Sequence, residues 1–153
     1  MNPIDLQRIL LPTDLSECSA AATPYACSIA DRFDAELHLL YVFEQDTGST
    51  FVRGMPVPEA KSDIEQLKQS VAESLADWIE AEWEAKHKIL RVTGEGQPVV
   101  EIVRYANENK IDLIVMGTHG RSGISHVLLG SVADKVVHKS SCPVLTVRPA
   151  EHL

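Results

Sequence analysis

Four glycines lie close together in the segment MGTHGRSGISHVLLGSVADKV, residues 116–136. Gly117 is followed after two residues by Gly120, and Gly130 comes after nine more with Ser131 directly behind it. Glycine lets a backbone approach a phosphate with no side chain in the way. The helix predicted to begin near Gly130 would offer free N–H groups and partial positive charge. The segment therefore predicts a phosphate-binding loop built from backbone N–H groups.

The glycine spacing differs from that of two well-known phosphate loops. A P-loop requires a lysine directly after its last glycine, and no lysine stands at that offset here. A dinucleotide fingerprint GxGxxG follows the first strand of a domain, whereas this segment comes late in the chain. The one GxG of the chain, in TGEGQP at 93–98, leads into a proline. Neither of these two classes of loop is predicted.

Side chains of the segment offer less chemistry than its backbone. Arg121 lies between two glycines, so we expect it to contact a phosphate, although it could instead be a solvated surface charge. His119 has no second histidine or carboxylate at ligand spacing, so it is not predicted to act as a metal ligand or a catalytic base. The remaining histidines also lack such a constellation and are expected to be ordinary polar or core residues: His38, His87, His126 and His138.

Length and composition limit the classes of protein that can carry this segment. A chain of 153 residues, 44% hydrophobic and 24% charged, is predicted to form a single globular domain over 1–153. A net charge of −8 argues against a nucleic-acid surface. The three cysteines show no CxxC spacing, which favours neither a disulfide framework nor a zinc site. No signal peptide and no apolar run of about 18 residues is present, so we expect a cytoplasmic protein without a membrane partner.

Five short apolar runs predict strands that alternate with helices. The runs are RILLPT, AELHLLYVFE, KILRVTGEG, DLIVMG and PVLTVR, and they begin at residues 8, 35, 88, 112 and 143. Their nearly continuous apolar character is typical of strands buried on both faces of a parallel sheet. Strands that alternate with helices predict right-handed crossovers, and hence a three-layer α/β/α sandwich with a five-stranded parallel sheet.

The predicted helices have recognisable starts and one internal break. Ser16 caps the first helix, which we expect to be kinked or split at Pro24. Residues 61–86 carry apolar residues at helical spacing and predict one long amphipathic helix, after a loop over 45–59. Pro98 suits the first turn of the next helix, and the last helix begins at Gly130 and Ser131.

The carboxyl ends of two strands are expected to form the ligand site. In an open parallel sheet, ligands bind where the strand order reverses, beyond the carboxyl ends of the strands. The first strand ends with Pro12, Thr13 and Asp14, and the fourth ends at Gly117. If these strands are neighbours, Asp14 and the glycine segment face the same crevice. Asp14 could instead serve only to start the following turn.

Together, ILLPTDLSE at 9–17, the glycine segment with its spacing G-x2-G-x9-G-S, and the order of elements resemble the universal stress protein family. The resemblance covers essentially the whole chain. It implies an adenine nucleotide alpha hydrolase-like fold with strand order 3-2-1-4-5, and an ATP site, with Mg²⁺ as an accompanying ion. It places Pro12, Thr13 and Asp14 against the ribose and adenine, Val42 beside the base, and Met116 beside the sugar. Gly117 is also implied to pass close to the sugar, and the residues implied around the phosphates are His119, Gly120, Arg121, Gly130, Ser131, Val132 and Ala133.

The resemblance favours a binding module over an enzyme. The loop has neither a P-loop lysine nor a carboxylate to orient a water, both of which ATP hydrolysis commonly uses. The expected function is nucleotide-dependent binding or signalling in a stress response, with an unidentified protein partner. The family implies a homodimer formed along the last strand, Val144 to Arg148. A slow ATP hydrolase and a dimeric interaction protein that binds no nucleotide remain alternatives.

Overall fold

The computed structural model describes residues 1–44, 51–52, 55–56, 61–119 and 129–150. Its strands are β1 (Arg8–Thr13), β2 (Glu36–Glu44), β3 (Phe51–Val52), β4 (Met55–Pro56), β5 (Ile89–Gly96), β6 (Leu113–Gly117) and β7 (Val144–Val147). Its helices are α1 (Glu17–Ala20), α2 (Thr23–Phe33), α3 (Lys61–Ala76), α4 (Ala81–Glu84), α5 (Pro98–Glu108) and α6 (Ser131–Lys139).

One parallel sheet organises the molecule, in the order β5-β2-β1-β6-β7. With the five main strands numbered along the chain, this is the predicted order 3-2-1-4-5, which is confirmed. The order reverses at β1, which pairs with β2 on one side and with β6 on the other. The carboxyl ends of β1 and β6 are therefore neighbours, as the site prediction requires.

Alternate residues of the central strands feed two separate cores. Ile9 and Leu11 pack with α2 and α3 on one face of the sheet, through residues such as Ala26 and Val71. Leu10, between them, packs on the other face with residues of α5 and α6, among them Ile102, Ala106, Ala133 and Val136. The two faces are both covered by helices, which gives the predicted three layers.

The break at Pro24 is confirmed, with α1 and α2 as separate helices and Pro24 in the first turn of the second. Proline fits there because the N–H it lacks has no intrahelical partner in a first turn. The Ser16 cap is also confirmed, since its side chain accepts a hydrogen bond from Ser19 N–H.

The prediction of a single helix over 61–86 is wrong, because α3 ends at Ala76 and a second helix, α4, begins at Ala81. Arg91 of β5 donates hydrogen bonds to the carbonyls of Leu75 and Ala76, which end α3. Ile79, which lies between α3 and α4 in the sequence, is buried, and Trp78 donates its indole N–H to Thr23 of α2. Tertiary contacts thus interrupt a sequence with good helical periodicity. The loop predicted over 45–59 also needs a correction, since it contains the short antiparallel pair β3 and β4.

Candidate functional site

A cavity of about 260 Å³ lies at the carboxyl end of the sheet, where the strand order reverses. The predicted site residues that line it are Pro12, Thr13, Asp14, Val42, Met116, Gly117, His119, Gly130, Ser131, Val132 and Ala133. Gly120 and Arg121, which complete the predicted set, lie outside the described residues, as does Gly123. The structure therefore brings together the described members of the set, from β1, β2, β6 and α6.

The β1 end of the cavity is built by a short polar turn. Asp14 Oδ1 accepts hydrogen bonds from the N–H and the hydroxyl of Ser16. Between them, Leu15 has φ of 63°, in the left-handed region that costs a non-glycine residue about 1–2 kcal/mol. Leu15 N–H donates to Thr13 Oγ1 at 3.0 Å, which helps to hold this conformation. Asp14 thus starts the turn and also lines the cavity.

Gly117 and Gly130 are required by contacts within the protein. A Cβ on Gly117 would lie 2.6 Å from the carbonyl oxygen of Cys18, and one on Gly130 would lie 2.7 Å from that of Thr118. Neither glycine has a left-handed φ. The expectation that these glycines serve a phosphate directly is therefore incomplete. They first allow α1 and the start of α6 to pack against the end of β6, and this packing shapes the cavity.

Thr118 links Gly130 to the sheet. It is buried, its N–H donates to Val147 of β7, and its carbonyl accepts from Gly130 N–H at 2.6 Å. Its hydroxyl lies 2.9 Å from His119 Nδ1. These bonds bring the residues on either side of 120–128 together at the cavity.

The first turn of α6 presents backbone donors to the cavity. The first intrahelical bond runs from Asp134 N–H to Gly130 O, so the N–H groups of Ser131, Val132 and Ala133 precede the helical ladder. Gly130 is the N-cap, and no side chain makes a capping hydrogen bond. Ser131, which its residue type would also suit as a helix cap, is instead the first helical residue and does not cap α6.

Another part of the cavity lining is apolar. Leu40, Val42 and Met116 come from the sheet, and Pro98 and Ile102 come from the first turns of α5. The last partner pair of β1 and β2 is Thr13 with Tyr41, so Val42 is the first residue of β2 beyond the end of β1. A cavity lined both by apolar side chains and by the first turn of a helix suits a ligand with one flat apolar part and one anionic part.

Six lining residues were missed by the sequence analysis: Ser19, Leu40, Glu44, Pro98, Ile102 and Thr118. Strand alternation carried a signal for Leu40, which lies two residues before Val42 on the same face of β2. Ser19 could not be found in this way, since its place depends on how α1 packs against Gly117.

Among the described lining residues, Asp14 and Glu44 are the acidic side chains and none is a lysine or arginine. An anion in this cavity would therefore meet positive potential chiefly from the first turn of α6.

Polar residues elsewhere are engaged in structural contacts. His38 is buried, with Nδ1 2.7 Å from the Tyr105 hydroxyl, and burial lowers its pKa. His87 Nε2 contacts Asp31 at 2.8 Å. In the described part of the chain, no group of three or more histidine, cysteine or acidic residues could hold a metal ion. The glycines of TGEGQP lie against the Glu101 side chain of α5.

Comparison with known proteins identifies the family and agrees with the fold. The family model described as the universal stress protein family matches residues 5–148. This chain belongs to the universal stress protein family. A universal stress protein of Methanocaldococcus jannaschii is 41% identical to it over 143 residues, which cover 93% of this chain and 82% of that protein.

Solved universal stress proteins show the same architecture. UspA from Lactobacillus plantarum has a TM-score of 0.76 and 27% identity, over 95% of this chain and all of that one. A universal stress protein solved in complex with cAMP has a TM-score of 0.63 and 26% identity, over 95% of this chain and 98% of that one. The adenine nucleotide alpha hydrolase-like fold is thus confirmed. Across the described residues, no helix has the length and apolar character needed to cross a membrane.

Proposed function

We propose that this universal stress protein binds an adenine nucleotide, with ATP as the principal ligand, in the cavity at the carboxyl end of the sheet. The observation that carries the proposal is the convergence of Asp14, the end of β6 and the first turn of α6 on one cavity. Asp14 is about a hundred residues from the other two parts in the sequence, and it meets them because β1 and β6 are neighbours.

The two walls of the cavity match the two parts of a nucleotide. The base would lie against the apolar residues of β2 and α5, and the phosphates would accept hydrogen bonds from the N–H groups of Ser131, Val132 and Ala133. Asp14 would face the ribose, whose hydroxyls are donors for a carboxylate. We include Gly120 and Arg121 in the phosphate site on the family resemblance. The related structure with cAMP supports a nucleotide of this class.

Mg²⁺ is expected to arrive with ATP. Asp14 and Glu44 are the carboxylates available to it among the described lining residues, and oxygen ligands of this kind suit Mg²⁺. The ion would supply charge neutralisation for the triphosphate.

The proposed role is that of a nucleotide-dependent binding or signalling module in the stress response. Glu44 is exposed, and the Asp14 carboxylate is already bonded to Ser16. Neither arrangement is that of a base held ready to activate a water, so the geometry favours binding over rapid hydrolysis. Release of phosphate from ATP at a steady rate that Asp14→Ala abolishes, while ATP still binds, would instead support the hydrolase alternative.

The first test identifies the ligand. Purified protein is heat-denatured, any released nucleotide is identified by mass, and ATP, ADP, AMP and adenosine are titrated calorimetrically. We expect binding that weakens as phosphates are removed. If no nucleotide is released and none binds, the proposed function is wrong.

Ser131→Glu separates the phosphate site from the stability of the helix. An acidic residue in the first turn of α6 stabilises the helix by about 0.3–1 kcal/mol, but it repels phosphates. We expect ATP affinity to fall at least tenfold with no loss of thermal stability, and adenosine affinity to change little. Ser131→Ala is the matched control, because it removes the hydroxyl without adding charge. Unchanged ATP affinity in Ser131→Glu would contradict a phosphate site at this turn.

We also propose a homodimer formed along the last strand, Val144 to Arg148. The strand β7 pairs only with β6 in the described sheet, and Leu145 is exposed. A lysine on an edge strand opposes pairing with another strand, so Leu145→Lys should give a monomer in light scattering. Leu90→Lys, at an exposed position of the opposite edge strand β5, should leave the dimer intact. A wild-type monomer at all concentrations would refute this part.

A further inference from the structure

Ser19 stands between the two strand ends that form the cavity. It lies in α1, is 6% exposed and lines the cavity beside Thr13 and Asp14. A Cβ on Gly117 would lie 3.2 Å from its Cα, so the end of β6 packs directly against it. A buried polar side chain at this place needs hydrogen-bond partners, and its partners lead to Asp14.

The directions of the hydrogen bonds around Ser19 follow from its one proton. Its hydroxyl donates to the Ser16 carbonyl at 2.9 Å, and its oxygen lies 2.9 Å from Thr13 Oγ1. Because a carbonyl can only accept, Ser19 has no second proton for Thr13. Thr13 must therefore donate to Ser19, and Thr13 in turn accepts from Leu15 N–H.

These hydrogen bonds involve the residues on both sides of Asp14 in the sequence. On one side, Thr13 and the left-handed Leu15 fix the backbone that leaves β1. On the other, Ser16 holds Asp14 Oδ1 by its N–H and hydroxyl, while Ser19 holds Ser16 through the carbonyl and through a bond from Ser19 N–H to Ser16 Oγ at 3.2 Å. Asp14 is thus oriented by the protein independently of any ligand.

We propose that Ser19 is a positioning residue of the cavity, which holds Asp14 in its binding orientation through Thr13 and Ser16. The inference rests on the proposed nucleotide site and names a residue on which its affinity depends. A carboxylate held in place binds without first being ordered, which raises affinity. When Ser19 is removed, the fraction of molecules with Asp14 in place falls, and the apparent affinity falls in proportion.

A double-mutant cycle tests the proposal. The dissociation constant for AMP is measured by calorimetry for the wild type, Ser19→Ala, Asp14→Ala and the double variant. We expect Ser19→Ala to raise the dissociation constant about fivefold to tenfold, the effect of losing about one hydrogen bond. In the Asp14→Ala background the same change should alter it by less than about twofold, because Ser19 acts through Asp14.

The control is Ser74→Ala, which removes a hydroxyl bonded to the Ser70 carbonyl on α3. It should leave AMP affinity unchanged. If Ser19→Ala unfolds the protein, Thr13→Val breaks the same hydroxyl pair, and its effect on affinity should also disappear in the Asp14→Ala background.

Two results would overturn the proposal while the nucleotide site stands. One is wild-type affinity in the Ser19→Ala variant. The other is an equal loss in both backgrounds, which would mean that Ser19 acts independently of Asp14. Absence of AMP, ADP and ATP binding by the wild type would overturn the proposed function itself, and the first titrations of the series reveal that case.

Discussion

The two ends of the sheet differ in how the backbone N–H and carbonyl groups of the helices are hydrogen-bonded. At the amino end, a residue in the left-handed region follows each of α2 and α5: Asp34 directly after α2, and Lys110 two residues after the end of α5. In each case the next N–H returns to the helix, from Ala35 to the Ala30 carbonyl and from Ile111 to Ala106. Such caps satisfy the last carbonyls within the chain.

The carboxyl end has its left-handed residue, Leu15, beside a cavity. There Ser131, Val132 and Ala133, whose N–H groups precede the first intrahelical bond of α6, line the cavity. Asp112 and Asp14 show the same contrast in side chains. Asp112 accepts from the N–H groups of Gln7 and Arg8 at the start of β1, whereas Asp14 lines the cavity at its end. The amino end also has a pocket, lined by residues that include Asp34 and Ala35, but there the helix carbonyls are bonded within the chain. At the carboxyl end, the residues whose N–H groups precede the helical bonds of α6 line the cavity.

The largest expected effect comes from Gly117→Ala at the carboxyl end. The added Cβ would lie 2.6 Å from the carbonyl oxygen of Cys18, so α1 or β6 must shift. We expect the free energy of unfolding, measured by urea denaturation, to fall by about 1–3 kcal/mol, and nucleotide affinity to fall with it.

Gly94→Ala is the matched control, because its Cβ would meet mainly the flexible end of Glu101 at 3.2 Å. It should change stability much less. Equal losses of unfolding free energy in the two variants would show that the tight packing at the end of β6 does not contribute more to stability than the contact at Gly94.

The second effect separates the two aspartates. Asp112→Ala removes the shared acceptor of two exposed backbone N–H groups, which water replaces only in part, and should lower the free energy of unfolding by about 0.5–1.5 kcal/mol. Nucleotide affinity should be unchanged. Asp14→Ala should weaken nucleotide binding at least tenfold and alter stability less. Urea denaturation and calorimetry on the same preparations measure both, and weaker binding in Asp112→Ala would contradict the division between the two ends.

The smallest expected effect is on the pH dependence of stability, through His38 in the amino half of β2. Burial lowers the pKa of His38 below its ordinary value of 6.5, although the Glu36 carboxylate 2.8 Å away opposes this. The unfolded chain therefore takes up a proton at a higher pH than the folded protein does. The stability linked to neutral His38 is present above pH 6.5 and is lost as the pH falls from there toward the lowered pKa. In His38→Gln, the free energy of unfolding should fall less steeply over this range.

His87 provides the opposite case. A hydrogen bond to the Trp83 carbonyl is the main cause that raises its pKa, so its contribution is present below pH 6.5 and is lost as the pH rises through the raised pKa. His87→Gln should therefore alter the pH dependence above 6.5. Identical pH profiles in both variants and the wild type would contradict both assignments.

Much of the fold could be predicted because local signals and global topology agree. Continuous apolar strands require burial on both faces, and their alternation with helices requires a parallel sheet. Pro24 and Ser16 act within a few residues of themselves, so their effects on the helices were also predictable. The meeting of Asp14 with the glycine segment followed from the switch point and the family resemblance.

Other features depended on contacts between distant residues. The end of α3 is set by Arg91, which lies 15 residues after Ala76, and by the burial of Ile79. No periodicity within 61–86 contains that information. Ser19 entered the cavity wall because α1 packs against Gly117, which lies almost a hundred residues later in the chain.

The glycine segment combines both kinds of information. Its spacing alone predicted a loop of backbone donors, because glycine is the residue that allows close approach. Only the tertiary structure showed what approaches Gly117 and Gly130, namely the carbonyls of Cys18 and Thr118. Sequence determined where the backbone could come close, whereas packing between segments distant in the chain decided which groups it would meet.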